Sequence, residues 1–373
     1  MTATTSKYRI HAFLRTLSPM HITSPESARL DVAAMKVVYG DSMGIPLNQV
    51  QKLNVAEIGG SSRSVPVIAA NNIMGRLRRH GATKILDALR AKGEKVAVTT
   101  YSALQCGAAT GKPDGRDVQF TEYREARQHP YIGLFGGGPR MMRRYVRCFN
   151  AVPYMDCTAF MAGRTKHPYL DEAVHKAPSD SRRLTQYWIQ NRNDDLRELV
   201  NIGQAQDTIK DFEKEINERQ QAILADSKAN SEGADSTSRH STRSFSSLEF
   251  VVPGVYFPLC FELDVTEAQM GLFLLALDSF AATERLGGHA RNGLGLFSLS
   301  DVLITDDKGT VLAGKVFSDS RLDQAEAFVQ PLLQAWAREA SAISGADLDR
   351  LFAPPVDEAK GKKSAKAKAA EAV

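Results

Sequence analysis

The residues with most chemistry to offer sit in a glycine corner, RLGGHARNGLG at 285–295. Gly287, Gly288, Gly293 and Gly295 permit positive φ and close backbone approach. His289, Arg291 and Asn292 add donors suited to phosphate or ribose oxygens. The corner follows an apolar helix-like run and precedes a strand-like one. That order is the reverse of a dinucleotide fingerprint, which follows a strand and opens a helix, so the motif is a different one.

Two further stretches are basic. LFGGGPRMMRRYVR (134–147) spaces Arg140, Arg143, Arg144 and Arg147 at i, i+3, i+4 and i+7, with no Asp or Glu in the segment. As a helix it projects all four guanidiniums from one face, and an uncompensated arginine stripe attracts phosphates. As a strand it splits them between two faces. MGRLRRHGATK (74–84) carries Arg76, Arg78, Arg79, His80 and Lys84 near a helix start, where the backbone dipole favours an anion. Basic clusters at three places in the chain imply a groove built from several elements, lined by Arg76, Arg79, Arg140, Arg143, Arg147, His289, Arg291 and Asn292.

Catalytic readings are thinner. His21, His80 and His289 are candidate acids and bases for a metal-independent ribonuclease. Asp31 and Asp41, after the first strand, are candidates for metal-assisted cleavage, although single loop aspartates usually cap or turn. No H-E-x-x-H or Walker pattern occurs. The expected catalytic set is therefore none, with Asp31 the weak candidate, and neither a cofactor nor a metal is implied.

Composition sets the frame. The chain has 373 residues, 43% hydrophobic, enough for one large domain or two. Its 47 Lys+Arg against 43 Asp+Glu give a net charge of only +4, so a polyanion site must come from local clustering. Cys106, Cys148, Cys157 and Cys260 are widely spaced and form no C-x-x-C pair, which fits a reducing compartment rather than a zinc site. The longest apolar run, GLFLLAL at 271–277, is too short to cross a bilayer, and the N-terminal stretch has no apolar signal core. The expectation is a soluble, cytoplasmic protein with no membrane partner.

The elements that position these residues follow from pattern. YRIHAFLRTLSPMHI (8–22) alternates as a strand and ends at a turn-rich TSPES. Ile73, Leu77, Ile85 and Leu89 fit a helix, or a pair broken at Gly81, capped by Asn71 or Asn72. The charged, proline-free segment 180–224 predicts a long helix or helix pair, followed by a Ser-rich mobile loop or exposed hairpin. FVVPGVYFPLCFELDV (250–265) predicts a strand pair or one bent strand. A helix capped by Thr266, a strand over GLGLFSLSDVLIT and an amphipathic helix within SRLDQAEAFVQPLLQAWAREAS come next. The tail 355–373 is low-complexity, basic and expected to be disordered.

LGGHARNGLGLFSL after an apolar helix resembles the glycine-rich C-terminal signature of the RAMP superfamily, the RRM-like proteins of CRISPR interference complexes. FVVPGVYFPLCFELDV resembles the strand before that helix in their backbone subunits, and LFGG their mid-chain Leu-Phe-Gly motif. VPVIAANNIMGRLRR stands where they carry a Pro-x-x-Ser-x-(Lys/Arg)-Gly-x-x-Arg helix start, with Ala69 and Asn72 departing from the pattern. Four matches in the family's order are more specific than any one, and the long insert and basic tail look most like the backbone subunit of type IV systems.

The resemblance implies an α+β fold: an RRM-like, ferredoxin-like palm (1–100 and 248–350), with a helical insertion at 101–247 that includes a β-hairpin thumb at about 226–250. Phe245, Leu248 or Phe250 would be the thumb's wedge between nucleotides. It also implies a non-catalytic subunit that oligomerises along a guide (CRISPR) RNA and presents it to a target nucleic acid, alongside further copies of itself and other effector subunits. Two enzymatic alternatives stay open: a metal-independent endoribonuclease that processes repeat RNA, and a backbone subunit that cleaves target RNA through Asp31. A monomeric nucleic-acid-binding protein is a third.

Overall fold

The computed structural model describes residues 4–30, 45–56, 61–107, 120–138, 142–162, 167–168, 183–193, 202–218, 221 and 243–352. Asp31, Asp41, Arg140, the tail 355–373 and the stretch 222–242 lie outside them. The chain divides into two units: residues 1–20, 52–184 and 252–373 form the first, and 21–51 with 185–251 the second. The expected inserted region is thus split, with 101–184 belonging to the first unit.

In the first unit, the alternating segment near the N-terminus becomes β1 (Ser6–Thr16). It is the middle strand of a five-stranded sheet and pairs antiparallel with β9 (Tyr256–Val265) on one side and β10 (Phe297–Asp306) on the other. β6 (Val146–Cys148) lies outside β9 and β11 (Val311–Ala313) outside β10, giving the order β11-β10-β1-β9-β6. Helix α1 (Ala70–Ala91) lies between β1 and β6 in the chain, and α6 (Glu267–Thr283) between β9 and β10. Each pair of strands joined through a helix is separated by a strand of the other pair, which is the ferredoxin-like split βαβ arrangement.

Packing explains why these elements were legible. Ile10 and Leu14 lie opposite Phe261 and Phe257 and are fully buried with them. Phe261 meets Phe273 of α6 edge-on, with centroids 5.3 Å apart. α6 is apolar on nearly every side because α1 and α7 (Val329–Ala342) also pack on it. Its Thr266 cap forms as expected, as a capping box with Gln269.

α1 departs from expectation at its start and middle. Its cap residue is Ala69, and the missing acceptor comes from Asn150 Oδ1, which receives the Ala70 amide at 2.9 Å; Asn72 instead accepts from Arg76 Nε at 3.1 Å. The helix is unbroken at Gly81, because the Phe135 ring packs where a side chain would stand.

The segment before β6 is not the arginine helix that its spacing allowed. α4 (Pro130–Phe135) ends at Gly136–Gly138, all with positive φ, and Val146–Cys148 takes the edge of β9. Among the described residues, 142–148 are not helical, so Arg143, Arg144 and Arg147 do not share a helix face.

The second unit is a four-stranded sheet of order β2-β3-β8-β7, made of β2 (Thr23–Leu30), β3 (Ile45–Val50), β7 (Thr185–Asn193) and β8 (Arg243–Val251). β3 and β8 run parallel and the other pairs antiparallel. TSPES is part of β2 rather than a turn. The expected long helix over 180–224 is also corrected. Thr185, Tyr187, Trp188 and Ile189 are β-branched or aromatic and pair with β8, leaving α5 (Ile202–Thr208) and a short helical stretch at 212–218.

Candidate nucleic-acid interface

The glycine corner is closed at its base and open at its tip. Leu286 donates to the Gly295 carbonyl at 2.9 Å, and Gly295 donates to Pro19 at 2.8 Å, while Leu17 donates to Leu296 at 2.8 Å. These bonds fix the corner to the C-terminal end of β1. Gly295 has φ 85°, and a Cβ there would run into the Leu286 carbonyl, so only glycine closes this base. At the tip, His289 adopts the left-handed region at φ 59° and starts a 3-10 turn over Ala290–Asn292. That turn leaves His289, Arg291 and Asn292 exposed on one short segment.

α1 supplies three arginines with three different environments. Arg76, with only 18% of its side chain accessible, donates to Glu284 Oε1 at 2.5 Å, to Arg285 O at 2.5 Å and to Gly287 O at 3.0 Å. His80 Nε2 lies 3.3 Å from the other Glu284 oxygen. Burial alone would raise the Glu284 carboxyl, but the His80 hydrogen bond, the Arg76 charge and the Arg285 amide outweigh it and hold the group at about 2. Arg76 is thus an internal strut from α1 to the corner, and its charge is neutralised by an internal carboxylate.

Arg78 points elsewhere. It donates to the Phe135 carbonyl at 2.6 Å and fills the space beside Gly107, where any Cβ would overlap its guanidinium. Burial pulls it below the ordinary guanidinium value. It too is a strut, here from α1 to the LFGG loop. Arg79 is the one of the three exposed to solvent.

The mid-chain arginines occupy another place. Arg144 Nη2 donates to Asn71 Oδ1 at 3.5 Å, Arg147 Nη1 lies 3.9 Å from Glu262, and Arg143 is exposed. All three line a cleft shared with Lys7 and Arg9, at the N-terminal end of β1. Arg9 and Thr16, near the corner, are seven residues apart on that strand, about 23 Å at strand rise. The expected single trough is therefore corrected: the arginines divide between struts, an exposed set near the corner and a separate cleft.

The thumb residues are placed differently from expectation as well. β8 lies between β3 and β7, Leu248 and Phe250 are buried, and the Phe250 ring packs on Trp188 with centroids 4.5 Å apart. Neither has a free face to insert between nucleotides; the Phe245 side chain lies outside the described residues. Among the described residues of this sheet, the exposed large apolar groups are Tyr187 (53%), Trp188 and Ile189 on β7. The helix reading had hidden them, although Tyr-Trp-Ile is itself a strand signal.

Of the histidines considered as acids or bases, His21 is buried, with Nδ1 2.6 Å from Glu249 O and Nε2 3.1 Å from Thr23 Oγ1. It is held as a core group. His129, which the sequence reading did not single out, accepts the Tyr131 and Ile132 amides at the start of α4, and burial lowers it to about 4. Among the described residues no group of three or more His, Cys, Asp or Glu is arranged to hold a metal ion, and no helix is long and apolar enough to cross a membrane.

No family model matches the chain, and no curated protein matches it. Solved structures do. One is a chain of a "Type IV-B CRISPR Complex", 15% identical, covering 85% of this chain and 99% of that one, with a TM-score of 0.45. Another belongs to a "Type III-B Cmr-beta bound to cognate target RNA", 11% identical, covering 81% of this chain and 61% of that one, with a TM-score of 0.34. Both neighbours are parts of CRISPR complexes.

Proposed function

We propose that this chain is a non-catalytic, RNA-binding backbone subunit of a class 1 CRISPR effector complex, most like type IV, that repeats along a guide RNA in the cytoplasm and presents it for pairing with a target. The observation that carries this reading is convergence on α1. The resemblance rests on segments more than 200 residues apart, and Arg76 joins the helix-start motif to the glycine corner while Arg78 joins it to the LFGG loop. The segments that carry the resemblance are thus tied together through arginines of α1.

In this reading the struts hold the loops, and the exposed Arg79, His289, Arg291 and Asn292 contact phosphate and ribose. Such contacts carry no base information, so sequence choice passes to guide–target pairing. The burial of His21 supports this reading over the rival ribonuclease, whose acid or base would have to reach RNA.

The test is a titration of the full chain against several unrelated RNAs of equal length. Affinities should agree across sequences and fall with salt, and Arg291→Ala should weaken all of them alike and reduce the salt slope by about 1. A strong base preference would overturn the proposal, as would cleavage of repeat RNA in EDTA.

A further inference from the structure

We propose that the cleft at the N-terminal end of β1 is a nucleoside-phosphate site, distinct from the glycine corner. The cleft encloses about 510 Å³, within the range of roughly 300–1,000 Å³ usual for small-molecule sites. That volume holds one nucleotide and little more.

Charge points to an anion. Lys7, Arg9, Arg143, Arg144 and Arg147 line the cleft against three carboxylates, Glu262, Asp264 and Asp307. Two of the three are engaged: Glu262 lies 3.5 Å from Arg9 and 3.9 Å from Arg147, and Asp264 lies 3.2 Å from Arg127. Among the described residues no carboxylate comes within 4.0 Å of Lys7, Arg143 or Arg144. Several basic side chains facing one cleft repel each other, and a phosphate with several acceptor oxygens relieves that repulsion through charge-assisted hydrogen bonds.

The rings narrow the class further. Tyr8 and Tyr145 also line the cleft, and the Arg127 guanidinium sits 3.5 Å from the Tyr145 ring centroid, fixing its orientation. An oriented ring among cations is the combination that takes a base and its phosphate together. An acidic peptide would use the cations and leave the ring without a role.

The ligand chemistry has two sources, a free mononucleotide or one unit of a strand. The experiment titrates fluorescent adenosine monophosphate and a labelled pentanucleotide into the full chain, into a Lys7→Ala/Arg143→Ala double variant and into Arg291→Ala. Both cleft substitutions are at exposed positions, and a thermal melt checks that the variants fold. The double variant should lose about tenfold or more in affinity for the monophosphate, as expected for the loss of charge-assisted phosphate contacts, a larger loss than Arg291→Ala produces. Loss of both probes identifies a mononucleotide site, and loss of the pentanucleotide alone a strand unit. Tyr145→Leu should weaken the monophosphate but not inorganic phosphate. The proposal is overturned if a folded double variant binds both probes as the parent does, or if poly-glutamate displaces the monophosphate as well as unlabelled monophosphate does. Failure here leaves the guide-RNA reading untouched, because that reading is tested at Arg291.

Discussion

The α1 arginines and the cleft arginines are made of the same residue and do opposite work. Arg76 and Arg78 turn inward and satisfy carbonyls and a carboxylate of other segments, whereas Arg143 and Arg147 stay exposed beside Lys7. The difference lies in what surrounds them. Near the corner, a helix, a glycine loop and Glu284 bring acceptors close, so the guanidinium replaces backbone partners that a tight turn leaves unmade. At the cleft the acids are fewer than the cations and two of them already have partners. A basic residue next to a glycine motif is therefore as apt to hold the motif's shape as to bind what the motif binds.

The largest effect that bears on this contrast belongs to Arg76. Replacing it by Ala leaves Glu284 without its charge partner and frees the corner, and should lower stability by about 2–3 kcal/mol in a denaturant melt. If the loss is below about 0.5 kcal/mol, typical of a surface change, the strut assignment fails.

Acid titration comes next, with two groups of the same sign. His129 falls to about 4 when folded and ionises near 6.5 when free, so the unfolded chain binds more protons between those values. Its stabilisation is complete above pH 6.5 and is lost as the pH drops toward 4. Glu284, held at about 2 against 4.5, adds stability above pH 4.5 that disappears between 4.5 and 2. A melting temperature that declines in two stages, with the lower one absent in Glu284→Gln, would sharpen the comparison. A single stage would break it.

The smallest effect is expected at Arg79. Its replacement by Ala should leave stability within about 0.5 kcal/mol, yet weaken every RNA tested by a similar factor in a fluorescence titration. Together with Arg76→Ala it separates the residue that shapes the corner from the one that uses it.

Much of this was visible in the sequence, for reasons that differ by element. β1, α1, α6 and β10 bury whole faces, so Ile10, Leu77 and Phe273 announce them by period. The Thr266 cap is local and was readable. The corner at 285–295 divides its work in two: Gly295 makes the reversal, and the His289–Asn292 turn presents the donors. What escaped depends on distant partners. Nothing near Arg76 foretells Glu284, 208 residues away, nor does anything near Arg78 foretell the Phe135 carbonyl. β7 escaped because polar residues downstream blurred a strand signal, and the arginine stripe because three successive glycines ended its helix.

Two loops hung on one rigid helix are mechanically a matched pair. α1 serves as their common spindle, and substitutions at Arg76 and Arg78 should show thermodynamic coupling in a double-mutant cycle although the side chains point to different loops. A chain built this way keeps its fold when the exposed turn is changed, but not when the spindle is.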